Sequence, residues 1–523
     1  MSVGSHGTRW VAGGVICGAL AAAVPAPAGA AGPTVTYVGH HGPGGLLASP
    51  ATLDATAETS SGRVVAVTFV LDGRPLGTDT TAPYVLDVTP GLLRPGRHRL
   101  RVVAVDNLGR RSSMRPIRVR VSPSRARLLE ASPRHGLQRA LRALREGQVT
   151  VRLAPGRYSL REVRLGNGAR LIGSGRKTVI AAPRGSQYWA LLIARGHDIR
   201  ISDLSIDGGG GGRRREGGIA VAVFDGSSRV RLQRLHIERV RTHGVNVWGA
   251  HTDVSVQDSW IESDGSAGAG VFALGSDASS GTSVIRTTLR GFRDFGILFA
   301  QREYGRPAAA LHSLALDNTI SDVRDPARDA CVTRPHTTPR CGTNEGGIWS
   351  GGVEAAIVGN TIRRTRWDGI ETVGSSTRTT IVGNEIFDTR TGIYLEHSTN
   401  HSRISRNLIM RARTGINVEW RHEGTGSSRN TFTRNRIVGG GLFVDVGGDG
   451  NLIARNVFVG GPRPAIVLQG SSDNVVRANV GCGGDGGTLV GQQTARWDDG
   501  RPAYPRRNRL LANKNVESCG GRT

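Results

Sequence analysis

One short phrase keeps returning along the chain, a glycine followed by apolar and variable positions in alternation. It reads Gly369-Ile370-Glu371-Thr372-Val373, then Gly392-Ile393-Tyr394-Leu395-Glu396, then Gly415-Ile416-Asn417-Val418-Glu419. Looser copies follow at Gly441-Leu442-Phe443-Val444-Asp445 and Ala465-Ile466-Val467-Leu468-Gln469, and the five starts are 23, 23, 26 and 24 residues apart. Earlier copies begin at Gly218, Gly244, Gly270 and Gly296, each 26 residues from the next. A fixed period of this size marks a coiled repeat, and strict alternation inside each copy marks a strand. The pattern therefore predicts an all-β solenoid of roughly a dozen coils.

Alternation also assigns faces. Counting from each glycine, positions +1 and +3 are almost always Ile, Val or Leu and belong inside the coil. Positions +2 and +4 then point outward onto one flat parallel sheet. In the early coils these slots hold mostly apolar residues. Between Trp349 and Asp445 they turn acidic and aromatic, with Trp349, Glu371, Tyr394, Asn417 and Phe443 at +2 and Glu396, Glu419 and Asp445 at +4. A second column, Asn360, Asn384, Asn407, Asn435, Asn456 and Asn479, falls at a turn of each coil. Stacked amides bond along the axis there and asparagine tolerates the left-handed conformation, so this column is expected to be scaffold.

Ahead of the repeat the pattern changes. From Val35 to Val121 the residues alternate, with Val65, Val67 and Phe69 on one face, Asp72-Gly73 as a hairpin turn and a further strand through Leu100 and Val102. Residues 123–134 read as a linker. Leu137, Ala140, Leu141 and Leu144 then recur at helical spacing, placing one amphipathic helix where it can cap the first coil.

The run Phe69-Val70-Leu71-Asp72-Gly73-Arg74-Pro75-Leu76-Gly77, with Ala82-Pro83-Tyr84, Gly96-Arg97-His98 and Asp106-Asn107-Leu108-Gly109, resembles bacterial immunoglobulin-like domains. The resemblance implies a small β-sandwich over 33–122, in a spacer or adhesive role. The phrases Val149-Thr150-Val151-Arg152-Leu153-Ala154-Pro155-Gly156, Leu171-Ile172-Gly173-Ser174-Gly175 and Ile199 to Gly208 resemble the opening coils of the pectin-lyase-like superfamily. That resemblance implies a right-handed parallel β-helix over 135–523. It leaves activity open, since the superfamily holds lyases, hydrolases, epimerases and non-enzymatic proteins. Arg229 to Ile261 resembles mannuronan epimerases, yet Asn246-Val247-Trp248 stands where their catalytic strand carries Asp-Pro-His, which argues against that chemistry at this coil.

Charge alters the picture little. The formal net charge of +26 invites a nucleic-acid reading. The basic residues are almost all arginine, scattered along the chain and without interleaved stacking aromatics, so no nucleic-acid partner is expected. An acidic polysaccharide remains a suitable partner for such a charge. Residues 1–31 read as a secretory signal, with an apolar run from Trp10 to Val24 and small residues at Ala28-Gly29-Ala30. No later segment could span a membrane. The expected protein is secreted and monomeric, with disulfides Cys331–Cys341 and Cys482–Cys519 formed in oxidising surroundings.

The acidic and aromatic patch carries the candidate chemistry. Coils stack ~4.8 Å apart, which puts Glu396 and Glu419 roughly 5 Å apart at the backbone and Glu371 roughly 8 Å from Glu396 on the diagonal. Carboxylates this close repel, so at least one should hold its proton unless Arg or a cation intervenes. Glu371, Glu396 and Glu419, with His422 and Arg421 just beyond, are the candidate catalytic residues. Trp349, Tyr394, Asn417, Asp445, Trp367, Asp368, His397 and Trp420 are the candidate substrate contacts. A protonated and an ionised carboxyl flanking a glycosidic bond is the hydrolase arrangement. The same oxygens with Asn417 could instead hold Ca2+ for a lyase, with Arg or His taking the proton. The alternative is a non-catalytic β-helix that binds glycan at the cell surface.

Overall fold

The computed structural model describes residues 32–517, apart from 42–46, 48–49, 90, 124–127, 211–216, 276–279, 302–311, 325–345, 375, 397, 420–425, 484–486 and 498–499. The signal stretch 1–31, three of the cysteines (Cys331, Cys341, Cys519) and four candidate site residues (His397, Trp420, Arg421, His422) lie outside the described residues. Cys482 is buried at 1% exposure, and both disulfide pairings stay proposals. Among the described residues no helix is long and apolar enough to cross a membrane.

Two antiparallel sheets form the N-terminal sandwich. Strands Thr34–His41, Ala51–Glu58 and Tyr84–Val88 make one, and strand Val64–Leu71, flanked by Arg74–Asp79 and Gly96–Asp106, centres the other. Leu53, Phe69, Leu86, Leu100 and Val102 close the core between them. The hairpin expected at Asp72-Gly73 is present, with both residues at positive φ (50° and 79°) as its tight turn demands.

The remaining strands wind into a parallel β-helix. One face is a thirteen-stranded sheet running from Val163–Leu165 to Val490–Gln493. Two further ladders line the other faces, for example Ile357, Ile381 and Ile404 in register on one, and Ile362, Ile386 and Ile409 on the other. The +1 residues Ile370, Ile393, Ile416 and Leu442 are fully buried, each worth about 1.5–3 kcal/mol of apolar burial. The glycine that opens each phrase answers to close packing rather than to backbone angle. A Cβ on Gly392 would stand 2.5 Å from the Gly415 carbonyl oxygen and 2.5 Å from Ile409 Cγ2.

The asparagine column is the ladder expected. The side-chain amides of Asn360, Asn384 and Asn407 donate in turn to Asn384, Asn407 and Asn435 at 2.9, 3.0 and 2.9 Å. The left-handed residue, however, is the one before each asparagine: Gly359, Gly383, Arg406, Arg434 and Arg455 have φ of 65°, 66°, 55°, 58° and 58°. Some of the arginine is used at such turns. Arg234 meets Asp203 of the preceding coil at 2.6 and 2.8 Å, and Arg364, Arg411 and Arg507 repeat the arrangement on Asp322, Asp388 and Asp473.

Two expectations need correcting. Within the stretch expected as linker, Leu128–Ala131 is a strand that pairs in parallel with Thr150–Leu153 and so begins the solenoid. Helix Leu137–Glu146 follows it and buries Ala140 and Leu144 in the solenoid core, as a cap should. The sandwich, expected as a spacer, is docked along the flank of the coils. Val65, Ala66 and Val105 share an apolar cluster with Ile285, Leu314, Leu316, Ala356 and Val358. Gln257 forms a two-way bond with the backbone of Thr78, accepting from its N–H at 3.0 Å and donating to its carbonyl at 2.8 Å.

Candidate active site on the thirteen-stranded face

The outward slots form ladders. Trp349, Glu371, Tyr394, Asn417 and Phe443 are successive register partners, and Glu396 pairs directly with Glu419 on the next strand. Facing outward did not leave all of them exposed. Glu371 is 1% exposed and Asp368, the first residue of the same strand, 7%. Trp349, Tyr394, Glu396, Asn417 and Glu419 are half-buried.

Burial decides the charge state of this pair. It pushes the Asp368 carboxyl up to about 7, against a hydrogen bond from Thr391 and the Arg390 guanidinium, while the charges of Glu396 and Glu419 push the same way as burial. Glu371 is driven far above the carboxylate range, first by burial and then by the charges of Asp368 and Glu396. A hydrogen bond between the Glu371 and Glu396 carboxyls raises it further, and one from the Trp349 side chain opposes the rise. Glu371 is therefore the protonated partner and donates to Glu396. The expected repulsion is relieved by a shared proton.

Glu419 is held differently. Its Oε2 accepts from the Tyr394 phenol at 2.7 Å and from the Asn417 amide at 3.2 Å. Both donors come from the +2 ladder, one from the neighbouring coil and one from its own strand. The face thus sets a carboxyl that holds a proton, Glu371, two coils from a carboxyl that accepts two hydrogen bonds, Glu419, with Glu396 on the coil between them. Such a division is what acid–base chemistry at a glycosidic bond requires.

The structure changes the part of several predicted residues. Trp349, expected as a substrate contact, also hydrogen-bonds Glu371 through its side chain. Trp367 lies under the Arg390 guanidinium, 4.0 Å from the ring centroid, so one ring face is taken. Asp368, expected as a substrate contact, is buried within the carboxyl cluster. Asp445 is half-buried one residue beyond strand Leu442–Val444.

Among the described residues the acidic cluster does not gather three carboxylate or histidine ligand atoms around one point. Among the described residues the trio that does is His236, Glu238 and Glu262, on strands outside this face. The Ca2+ arrangement allowed by the residue types would therefore have to draw on ligands besides these carboxyls. Sequence reasoning missed Arg390, whose sole signal was its place two residues before a repeat glycine. It also missed the stack of His243 on Phe272, with centroids 4.7 Å apart, where burial lowers the histidine to about 4.

Residues 309–475 match the family described as periplasmic copper-binding protein (NosD), and residues 43–102 match the bacterial Ig domain. No curated protein matches the chain. Among solved structures, the fibronectin(III)-like modules of Clostridium thermocellum CbhA are 26% identical, with a TM-score of 0.15, over 18% of this chain and 47% of that one. The chain thus spans about half the length of those modules. The A-module of an Azotobacter vinelandii mannuronan C-5 epimerase is 12% identical, with a TM-score of 0.39, over 74% of this chain and 97% of that one. The catalytic domain of a GH87 α-1,3-glucanase in complex with nigerose is 11% identical, with a TM-score of 0.37, over 94% and 99%. The chain is accordingly a bacterial Ig-like domain followed by a parallel β-helix whose coils from 309 to 475 match the NosD family.

Proposed function

We propose that this is a secreted carbohydrate-active protein that binds a polysaccharide along the thirteen-stranded face and cleaves it by glycoside hydrolase chemistry. The observation that carries the reading is the row of a proton-holding carboxyl, Glu371, its hydrogen-bonded partner Glu396, and an acceptor carboxyl, Glu419, on three successive coils. Glu371 is too enclosed to touch a glycan. Glu371 and Glu396 share one proton across their hydrogen bond. Glu396, the more exposed member, passes it to the glycosidic oxygen and the pair regains a proton from solvent, while Glu419 supplies the carboxylate across the bond. Tyr394 and Asn417 hold Glu419 in place.

The charge of the face favours a neutral glycan over a uronate. Glu396, Glu419 and Asp445 line it above the buried Asp368 and Glu371, and Arg390 at its edge is stacked on Trp367. A uronate would meet like charge there, and lyase chemistry needs its carboxylate neutralised. Incubation with neutral and uronate polysaccharides tests the reading. Release of new reducing ends from a neutral glycan supports it. Unsaturated uronate ends would mean a lyase, and retention without products a binding module.

A further inference from the structure

Away from that face, a cleft of about 470 Å3 opens where the sandwich strand Tyr84–Val88 meets the first coils. Its floor is an arginine stack. Arg170, Arg200 and Arg231 are register partners on three successive strands of one flank, a spacing of ~4.8 Å between like charges. The third member is neutralised, with Arg231 reaching Asp253 at 3.3 Å and Asp79 of the sandwich at 3.4 Å. A neighbouring pair, Arg229 and Asp198, closes on itself with bonds of 2.6 and 2.7 Å.

Arg170 and Arg200 have no such partner: none of the described carboxylates lies within ion-pair distance of either. Arg200 is 7% exposed, and its guanidinium donates to a neutral group, the Thr89 hydroxyl. Burial and the charges of Arg231 and Arg170 pull it down to about 9, with Asp87 opposing from the far wall. Asp87 itself is exposed and accepts from Thr52 at 2.9 Å. Burying a cation beside another of like sign is costly unless an anion sits between them.

We propose that this cleft binds an oxyanion, a carboxylate or phosphate carried by a small ligand or by the end of an acidic glycan, gripped by Arg170 and Arg200. Arginine pairs suit such groups through their planar, forked donors. The volume falls in the range of small-molecule sites, and an adjoining cleft of about 760 Å3 shares Arg170, Asp87 and Asp198, leaving room for a longer ligand. The occupant would touch both the sandwich and the coils. An acidic glycan repelled by the carboxyl face has a place to bind here, independently of the chemistry proposed above.

Isothermal titration of the full chain with inorganic phosphate, and separately with a galacturonate trisaccharide, tests this. Saturable binding of at least one is expected, weakened roughly tenfold or more by Arg170→Gln and tightened by Asp87→Asn. Arg170 is half-buried at the start of its strand, so its replacement spares the core. Phosphate binding alone would assign a phosphorylated ligand, and trisaccharide binding alone an acidic glycan. Glu396→Gln should bind as the unaltered chain does, which separates this site from the carboxyl face. No saturable binding of either probe, or binding indifferent to Arg170→Gln, would overturn the proposal.

Discussion

Tyr394 and Glu419 stand on neighbouring coils, joined by a 2.7 Å hydrogen bond from the phenol to the carboxylate. The bond crosses between strands because +2 and +4 slots of adjacent coils share one surface. It turns an aromatic residue that composition would assign to sugar stacking into the group that positions a carboxylate. Tyr394→Phe keeps the ring and removes that bond. A hydrogen bond to a charged group is worth about 1.5–3 kcal/mol, so kcat on the cleaved glycan should fall about 10- to 100-fold while KM changes little. An equal loss in both, or none, would mean that Tyr394 only packs.

Asp368 should leave a signature in stability against pH. Its folded value, about 7, lies above the unfolded one. The stability it adds is therefore complete below the unfolded value near pH 4 and is lost as pH rises through about 7. The full difference of roughly 3 units corresponds to about 4 kcal/mol. Asp368→Asn removes the titration and should be more stable than the unaltered chain at pH 8 and no more stable at pH 4. Urea unfolding at the two pH values measures this, and parallel profiles would show that Asp368 does not titrate in this window.

Gly392 tests the scaffold. With backbone and Ile409 both 2.5 Å from a built Cβ, Gly392→Ala must push neighbouring coils apart. The cost of such overpacking is about 1–3 kcal/mol, read as a lower urea midpoint at unchanged slope. An unshifted midpoint would mean that the coils yield without strain.

Gln257 tests the docking of the sandwich. Gln257→Ala leaves the Thr78 N–H and carbonyl buried without their partner, a loss of about 1–3 kcal/mol. Calorimetry should show the sandwich unfolding at lower temperature while the coils keep theirs. Identical traces would show that the two units do not depend on this contact.

The strands were legible because alternation and a fixed period are local. Ile370, Ile393 and Ile416 announce their own burial, and the phrase they share puts Glu396 beside Glu419 without further information. What lay beyond reach depends on side chains from different coils lying over one another. Glu371 occupies an outward slot, and nothing in its own strand says that the neighbouring side chains enclose it. Asp368 precedes the repeat glycine and falls outside the columns that alternation defines. The docking of the sandwich rests on contacts such as Gln257 with Thr78, separated by 179 residues, for which no periodic pattern exists. The scattered arginine likewise hid its use, because pairs such as Arg234 with Asp203 and Arg411 with Asp388 join turns of different coils.

If Glu396 and Glu419 carry the chemistry of the outer face, removing either carboxylate must cost cleavage but not binding. The direct measurement is reducing-end release from the best neutral polysaccharide by the unaltered chain, Glu396→Gln and Glu419→Gln, with glycan retention measured alongside. Both variants should lose at least about a hundredfold in rate, roughly the contribution of a positioned acid or base, while still retaining the glycan. Cleavage undiminished in both would contradict the assignment of this face.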